Sequence, residues 1–222
     1  MARSGQLAVF DLDGTITRHD TLLPFVSGFL LRHPTRLPSM LAVAPALLRF
    51  VVDRDRGRFK GSVIHAAMGG CARAQLDAWA DEFVPRLLRG GLHREALLQI
   101  EQHRSRGDRL VLLSASPDLY VPRIGQALGF DETVCTELRW RGDGTLDGRL
   151  ASENRRGEEK LRCLRALIAR EAPSRLYAYG NARSDIAHLQ LADEALLINY
   201  RGSVPDCGQR VRVVRWRDIG RA

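Results

Sequence analysis

Lysine is almost missing from this chain: of its 34 basic residues only Lys60 and Lys160 are lysine, and the rest are arginine. Against 26 acidic residues they leave a formal charge of +8, which admits nucleic acid, anionic lipid or phosphorylated metabolites and chooses none of them. Aromatic residues are scarce too, at 6%. No helix-turn-helix, zinc-finger spacing or aromatic ribonucleoprotein motif accompanies the arginine knots at Arg54/Arg56/Arg58, Arg155/Arg156 and Arg210/Arg212/Arg215/Arg217, so no nucleic-acid partner is expected. The four cysteines, Cys71, Cys135, Cys163 and Cys207, contain no CxxC pair, which excludes a zinc ribbon and a thioredoxin-like redox motif. With 222 residues and 45% hydrophobic character the core needs no staples, and reduced thiols in a cytoplasmic protein are the expectation. No leader-like segment precedes the first apolar run, and no internal repeat is present.

Long hydrophobic runs are also lacking. The most apolar stretch, Leu37 to Val52, is broken by Pro38, Pro45 and Arg49 and falls short of the roughly 20 residues a spanning helix needs. It reads as a buried or surface-lying helix, and its rim of arginines leaves peripheral contact with the inner face of a membrane open.

What the chain does have is an alternation of short apolar runs and helical periods. Residues 7–10 predict a buried strand that delivers Asp11 and Asp13 at its end. From Thr21 to about Leu88 the spacing is helical, which predicts an inserted domain of three or four helices. The expected division is core over 1–18, helical cap over 19–89 and core again over 90–222. After a helix near 94–104 come a strand over 109–113 closed by Ser114, a helix opened by Pro117 and Asp118, and a hairpin through Gly142–Gly144. A helix over 158–170, a strand over 176–179, a helix near 185–191 and strands over 196–198 and 211–214 complete the chain. The fold class is therefore α/β, a Rossmann-like three-layer core with a mostly parallel sheet and an inserted all-helical cap. Ligands of such sheets sit beyond the carboxyl ends of the strands.

Polar residues gather at those ends. Asp11 and Asp13 concentrate like charge, which costs energy unless a cation sits there, and a hard divalent ion such as magnesium answers that demand. Read alone, the pair also fits a helix cap. Ser114 ends a second strand, where its hydroxyl and the following peptide N–H groups, Ala115 first, can cradle a phosphoryl group. Lys160 supplies a compact point charge that arginine would not replace. Asn181 and Asp185, in GNARSD, can point oxygens back toward the first loop, although Asn181 or Ser184 could equally cap a helix.

FDLDGT at Phe10 to Thr15, LVLLSAS around Ser114, GEEKL around Lys160 and YGNARSD at Tyr179 to Asp185 together resemble the haloacid-dehalogenase superfamily of aspartyl phosphatases, in particular the phosphoserine-phosphatase-like branch with a helical cap after the first motif. The resemblance covers nearly the whole chain. It implies a magnesium-dependent phosphomonoester hydrolase acting through a phospho-aspartate, with Asp11 as nucleophile and Asp13 as acid and then base. Ser114 and Lys160 would hold the phosphoryl group. Magnesium would be bound by Asp11, the Asp13 carbonyl and Asn181, supported by Asp185. Asn181 departs from the aspartate usual in this motif and removes one negative ligand. Asp20 stands where phosphoserine phosphatases carry a glutamate that meets the substrate, and the Arg58/Lys60 neighbourhood is similar to the region that grips its carboxylate. A small phosphorylated metabolite is the implied substrate. Two other readings stay open: a phosphatidylglycerophosphate phosphatase working on anionic phospholipid at the membrane surface, and a catalytically silent phosphate-ligand or membrane-binding module. No obligate protein partner is implied.

Overall fold

The computed structural model describes residues 5–203 and 210–216; Cys207 and Arg217 lie outside the described residues. In chain order, β1 (Gln6–Phe10) is followed by four helices, α1 (Leu22–Arg32), α2 (Val43–Asp53), α3 (Arg56–Met68) and α4 (Arg73–Gly90), with a 3-10 segment at Pro34–Ala42. Then come α5 (Arg94–Ser105), β2 (Arg109–Pro117), α6 (Val121–Ala127), β3 (Glu132–Thr136), β4 (Leu138–Trp140) and β5 (Leu146–Leu150). The chain closes with α7 (Glu158–Glu171), β6 (Arg175–Gly180), α8 (Ile186–Leu189), β7 (Glu194–Ile198) and β8 (Val211–Val214).

The main sheet runs β3-β2-β1-β6-β7-β8, parallel throughout. Strands buried on both faces need apolar residues at every position, which is why 7–10 is an unbroken run. Leu7 and Val9 face Leu164, Leu167 and Leu189 on one side. Ala8 and Phe10 face Ala96, Ile100 and Ile124 on the other. The chain builds outward from β1 to β3, then returns to lay β6 against the free side of β1. That reversal is a topological switch point, and the ends of β1, β2 and β6 open into one crevice.

The inserted helices have their own aromatic centre: Phe25 meets Phe83 at 5.0 Å and Tyr120 at 4.5 Å between ring centroids, and Trp79 Nε1 donates to the Phe25 carbonyl at 3.1 Å. The hairpin of β4 and β5 belongs to the later part of the chain but leans on this insert. Gly70 N donates to the Leu146 carbonyl at 2.8 Å, and Leu146 N to the Cys71 carbonyl at 2.9 Å. Cys71, Cys135 and Cys163 are free thiols.

Four local expectations change. The apolar stretch 37–52 is not one helix: a 3-10 segment carries Pro38, which lacks an N–H to extend an α-helix, and α2 starts only at Val43. The strand at 109 continues past Ser114 to Pro117, and the helix opens at Val121. Ala115 and Ser116 stay extended because Thr136 Oγ1 donates to the Ala115 carbonyl at 2.8 Å and Asp118 N to the Thr136 carbonyl at 2.9 Å. Residues 132–136 join the main sheet, leaving 138–140 for the hairpin. The helix near 185 shrinks to a 3-10 turn at Arg183–Asp185 followed by the four residues of α8.

Candidate active site

Residue Phe10 pairs with Leu112 on one side and Tyr179 on the other. The residues just beyond these positions therefore emerge side by side, which brings Asp11, the Ser114–Ser116 segment and Asn181 together. The first turn of α7 adds Lys160 from below. Its ammonium donates to Asp11 Oδ1 at 2.5 Å and to Asp185 Oδ1 at 3.0 Å, and all three side chains are buried. Thr15 Oγ1 donates to Asp11 Oδ2 at 3.1 Å. Asp185 Oδ2 accepts the N–H groups of Asn181 at 3.1 Å and Ala182 at 2.9 Å, which closes the turn after β6.

Asp13 is held separately. Its Oδ1 accepts Thr21 N at 2.7 Å and Thr21 Oγ1 at 2.6 Å, while Oδ2 accepts Ser116 Oγ at 2.6 Å. The Thr21 hydroxyl lies 2.9 Å from the Tyr120 hydroxyl, so a chain of three hydroxyls fixes the carboxyl from the cap side and the β2 side. Between Asp11 and Thr15, Gly14 adopts φ +77°, and a Cβ there would stand 1.9 Å from Asn181 Nδ2. Only glycine lets Asn181 lie against the first loop.

The electrostatics follow from burial. Desolvation pushes the Asp11 carboxyl up to about 7, with Lys160 pulling against it. Asp13 is likewise raised, chiefly by burial, with the hydrogen bonds from Ser116 and Thr21 opposing. Burial works against charge on Lys160, yet Asp11 and Asp185 hold its ammonium above the usual lysine range. Asp185, also opposed by burial, is drawn down to about 2 by Lys160. Burial and Lys160 push the neighbouring His188 down to about 3, so it is a neutral ring. Two buried carboxylates thus share one ammonium, and the site has room in its charge balance for a cation.

The donors present are of the kind a hard cation takes. Asp11, Asp13, Asn181 and Asp185 line one cavity of about 590 Å³. Among the described residues no three His, Cys, Asp or Glu side chains form a ready-made metal cluster. An ion here would draw on Asn181 and main-chain oxygen as well as the carboxylates, which fits a hard, oxygen-seeking cation and not a soft one.

The same cavity is walled on the cap side by Leu22, Val26, Met40, Phe50, Phe59 and Val63, and Arg56, Lys60, Arg155 and Arg156 add positive charge. Lys60 Nζ donates to the Ala115 carbonyl at 2.5 Å and to Asn154 Oδ1 at 2.8 Å, tying α3 to the core. Burial pushes Lys60 down to about 8.

Of the residues singled out from sequence, Asp11, Asp13, Lys160, Asn181, Asp185, Lys60, Ala115 and Asp20 border this cavity. Asp20 also accepts the N–H groups of Leu22 and Leu23 at 3.0 and 3.3 Å and so caps α1. Ser114 is fully buried behind the wall, its Oγ accepting Ser116 N at 3.0 Å. Arg58 is not brought in: it pairs with Asp53 at 3.2 Å and Asp55 at 3.5 Å and faces away. Helical phase explains this, since Arg56 and Lys60 stand four apart on one face of α3 and Arg58 lies between them on the other. Arg56 was findable from that spacing. Ser116, Thr21, Tyr120 and Asn154 carried no comparable signal.

Comparison with known proteins agrees with this architecture. The family profile of haloacid dehalogenase-like hydrolases matches residues 8–190. The chain is 33% identical over 207 residues to Protein CicA of Caulobacter vibrioides, covering 91% of this chain and 90% of that protein. It is 27% identical over 197 residues to the inhibition of morphological differentiation protein of Streptomyces azureus, covering 86% and 71% respectively. Among solved structures, a protein of unknown function from Bordetella pertussis Tohama I superposes with a TM-score of 0.73 at 20% identity, over 90% of this chain and 92% of that one. A phosphoserine phosphatase solved as a phospho-aspartyl intermediate analogue gives a TM-score of 0.64 at 15% identity, over 95% and 93%. At such identities the two structures speak for the fold.

Proposed function

Because this chain belongs to the haloacid dehalogenase-like hydrolase family, we propose that it hydrolyses phosphomonoesters with magnesium through a phospho-aspartate at Asp11. The observation that carries this reading is the buried Asp11–Lys160 pair at 2.5 Å, in a cavity that also holds Asp13. An Asp11 carboxylate oxygen attacks phosphorus and forms an O–P bond as the bond to the leaving oxygen breaks. Asp13 gives that oxygen its proton. Asp13 then takes a proton from water as the water oxygen bonds to phosphorus, the aspartyl–phosphorus bond breaks, and inorganic phosphate leaves with Asp11 restored. Lys160 holds the phosphoryl oxygens through the transfer, Ser114 braces the Ser116 N–H from behind the cavity wall, and the hydroxyls of Thr21 and Ser116 keep Asp13 in place.

Asp11, the Asp13 carbonyl, Asn181 and Asp185 would hold the magnesium ion, which when bound offsets negative charge at the phosphoryl group. Residues 19–89 serve as the cap that keeps bulk water out during phosphoryl transfer to Asp11. p-Nitrophenyl phosphate should be hydrolysed with magnesium and spared after chelation. Asn181→Asp should lower the magnesium concentration for half-maximal rate, since a carboxylate binds a hard cation more strongly than an amide. An unchanged magnesium titration would remove residue 181 from the ligand set.

The cavity volume suits a small phosphorylated metabolite. Its wall of Leu22, Val26, Met40, Phe50 and Phe59 favours a leaving group with an apolar part, and this specific feature also supports the second reading, an anionic phospholipid monoester. Lys60 would meet an acidic group on either. It is charged below about 8 and neutral above, so kcat/KM should fall as pH rises through that value. Lys60→Arg, charged throughout, should abolish the fall, and Lys60→Met should lower kcat/KM by about tenfold or more at neutral pH. A pH profile identical in parent and arginine variant would free Lys60 of this role.

A further inference from the structure

Helix α2 is apolar nearly all round, and none of its residues is buried. Such a helix in a water-soluble fold is ordinarily sunk in a core, or else lies where water is not its neighbour. Its inward side, Val43, Ala46 and Phe50, is half-buried, and Phe50 stacks on Phe59 of α3 at 5.0 Å. Its outward side carries Leu48, Val51 and Val52 at 72%, 59% and 85% exposure, with Leu47 beside them. The preceding 3-10 segment continues the patch with Leu37 and Leu41 exposed, anchored from below by Ser39 Oγ, which donates to the Ala66 carbonyl at 2.5 Å, and by Arg36, which donates to the Gly69 carbonyl at 3.0 Å.

We infer that this face, Pro34–Asp53, docks on the surface of an anionic lipid bilayer. Three observations single out that occupant. Length and composition alone would let Pro34–Asp53 cross a membrane, but one side of it is tied to the fold along its length, by Arg36 on the Gly69 carbonyl, Ser39 on the Ala66 carbonyl and the Phe50–Phe59 stack. Only its outer face is free to meet lipid, so the segment can lie in the interface but not span it. Charge is the second: residues 34–58 hold five arginines, Arg36, Arg49, Arg54, Arg56 and Arg58, against Asp53 and Asp55, both of which are ion-paired to Arg58. Apolar side chains beside excess arginine are the composition of an interfacial helix on anionic lipid. Continuity is the third, because Met40 and Phe50 of the same segment line the catalytic cavity while Leu47, Leu48, Val51 and Val52 do not. Docking by those outer residues is thus separable from the reaction proposed above.

The test is co-flotation of the full chain with phosphatidylcholine vesicles made with and without phosphatidylglycerol, for the parent and for Leu48→Asp with Val52→Asp. Both positions are exposed, so the double variant should keep the parent's circular dichroism and its p-nitrophenyl phosphate turnover. The parent should float with the phosphatidylglycerol vesicles and bind them at least about tenfold more tightly than the variant, since two carboxylates replace two aliphatic side chains at the interface. Added salt should weaken this binding without abolishing it. Equal flotation of parent and variant, or no flotation of either, overturns the inference. So does parent self-association in sedimentation that the double variant loses while neither binds vesicles, which would assign the face to a second copy. Flotation is read without turnover, so its outcome is independent of whether the phosphatase reading stands.

Discussion

Asp11→Asn is expected to lower kcat for p-nitrophenyl phosphate by at least about 10³-fold, more than the loss of any one hydrogen bond to the phosphoryl group would cost. The amide is close in shape to the carboxylate and can keep a bond to Thr15, so binding should change far less than turnover. Folding gives an independent check. The carboxyl is pushed up to about 7 from an ordinary 3.8 by burial. An acid whose folded pKa exceeds its unfolded value loses stability as pH rises from the lower to the higher figure. Without magnesium at pH values above about 7, where the parent buries this charge in full, the asparagine variant should be at least as resistant to urea as the parent. A variant that is inactive because it is unfolded would fail that comparison. Turnover within tenfold of the parent, on protein freed of contaminating phosphatase, would remove Asp11 from the reaction.

Lys160→Met should do the opposite to stability while also stopping turnover. Its ammonium is the shared partner of Asp11 and Asp185, at 2.5 and 3.0 Å, and is 2% exposed. Removing it leaves two buried carboxylates facing each other, and breaking a buried pair in this way costs about 3–5 kcal/mol. Denaturant unfolding in metal-free buffer near neutral pH should show a loss of that order. Since Lys160 lowers the Asp11 pKa, its removal raises that pKa further, and Asp11 then takes up a proton more readily. The deficit should therefore shrink as pH falls toward about 7 from above, and again in the acid range where Asp185, no longer held down by Lys160, takes up its own proton. A loss that is independent of pH would point to packing of the lysine stem in place of its charge.

How much of this was written in the sequence differs from place to place. Strand ends were legible because a parallel sheet needs unbroken apolar runs, and Leu7–Phe10 stops abruptly at Asp11. Lys160 stood out because it is one of two lysines among 34 basic residues. The partners of Asp13 were not legible: Thr21 sits on the way into the cap, Ser116 depends on β2 running three residues past Ser114, and Tyr120 depends on where α6 starts. Those positions follow from tertiary contacts such as Thr136 on the Ala115 carbonyl, which no local pattern announces. Arg58 misled because adjacency in sequence says nothing of helical phase until the first residue of α3 is known. The apolar stretch 37–52 was visible as composition, but only coordinates reveal that its leucines and valines point outward.

The central claim is that phosphate passes through Asp11, and trapping it there is the direct measurement. The parent, mixed with p-nitrophenyl phosphate and magnesium and quenched in acid within a turnover, should yield one phosphoryl group of added mass on the peptide carrying Asp11, labile to hydroxylamine as an acyl phosphate is. Asp11→Asn should yield none. The same mass on any other residue, or burst-free hydrolysis with no phosphorylated peptide at any quench time, would contradict the account.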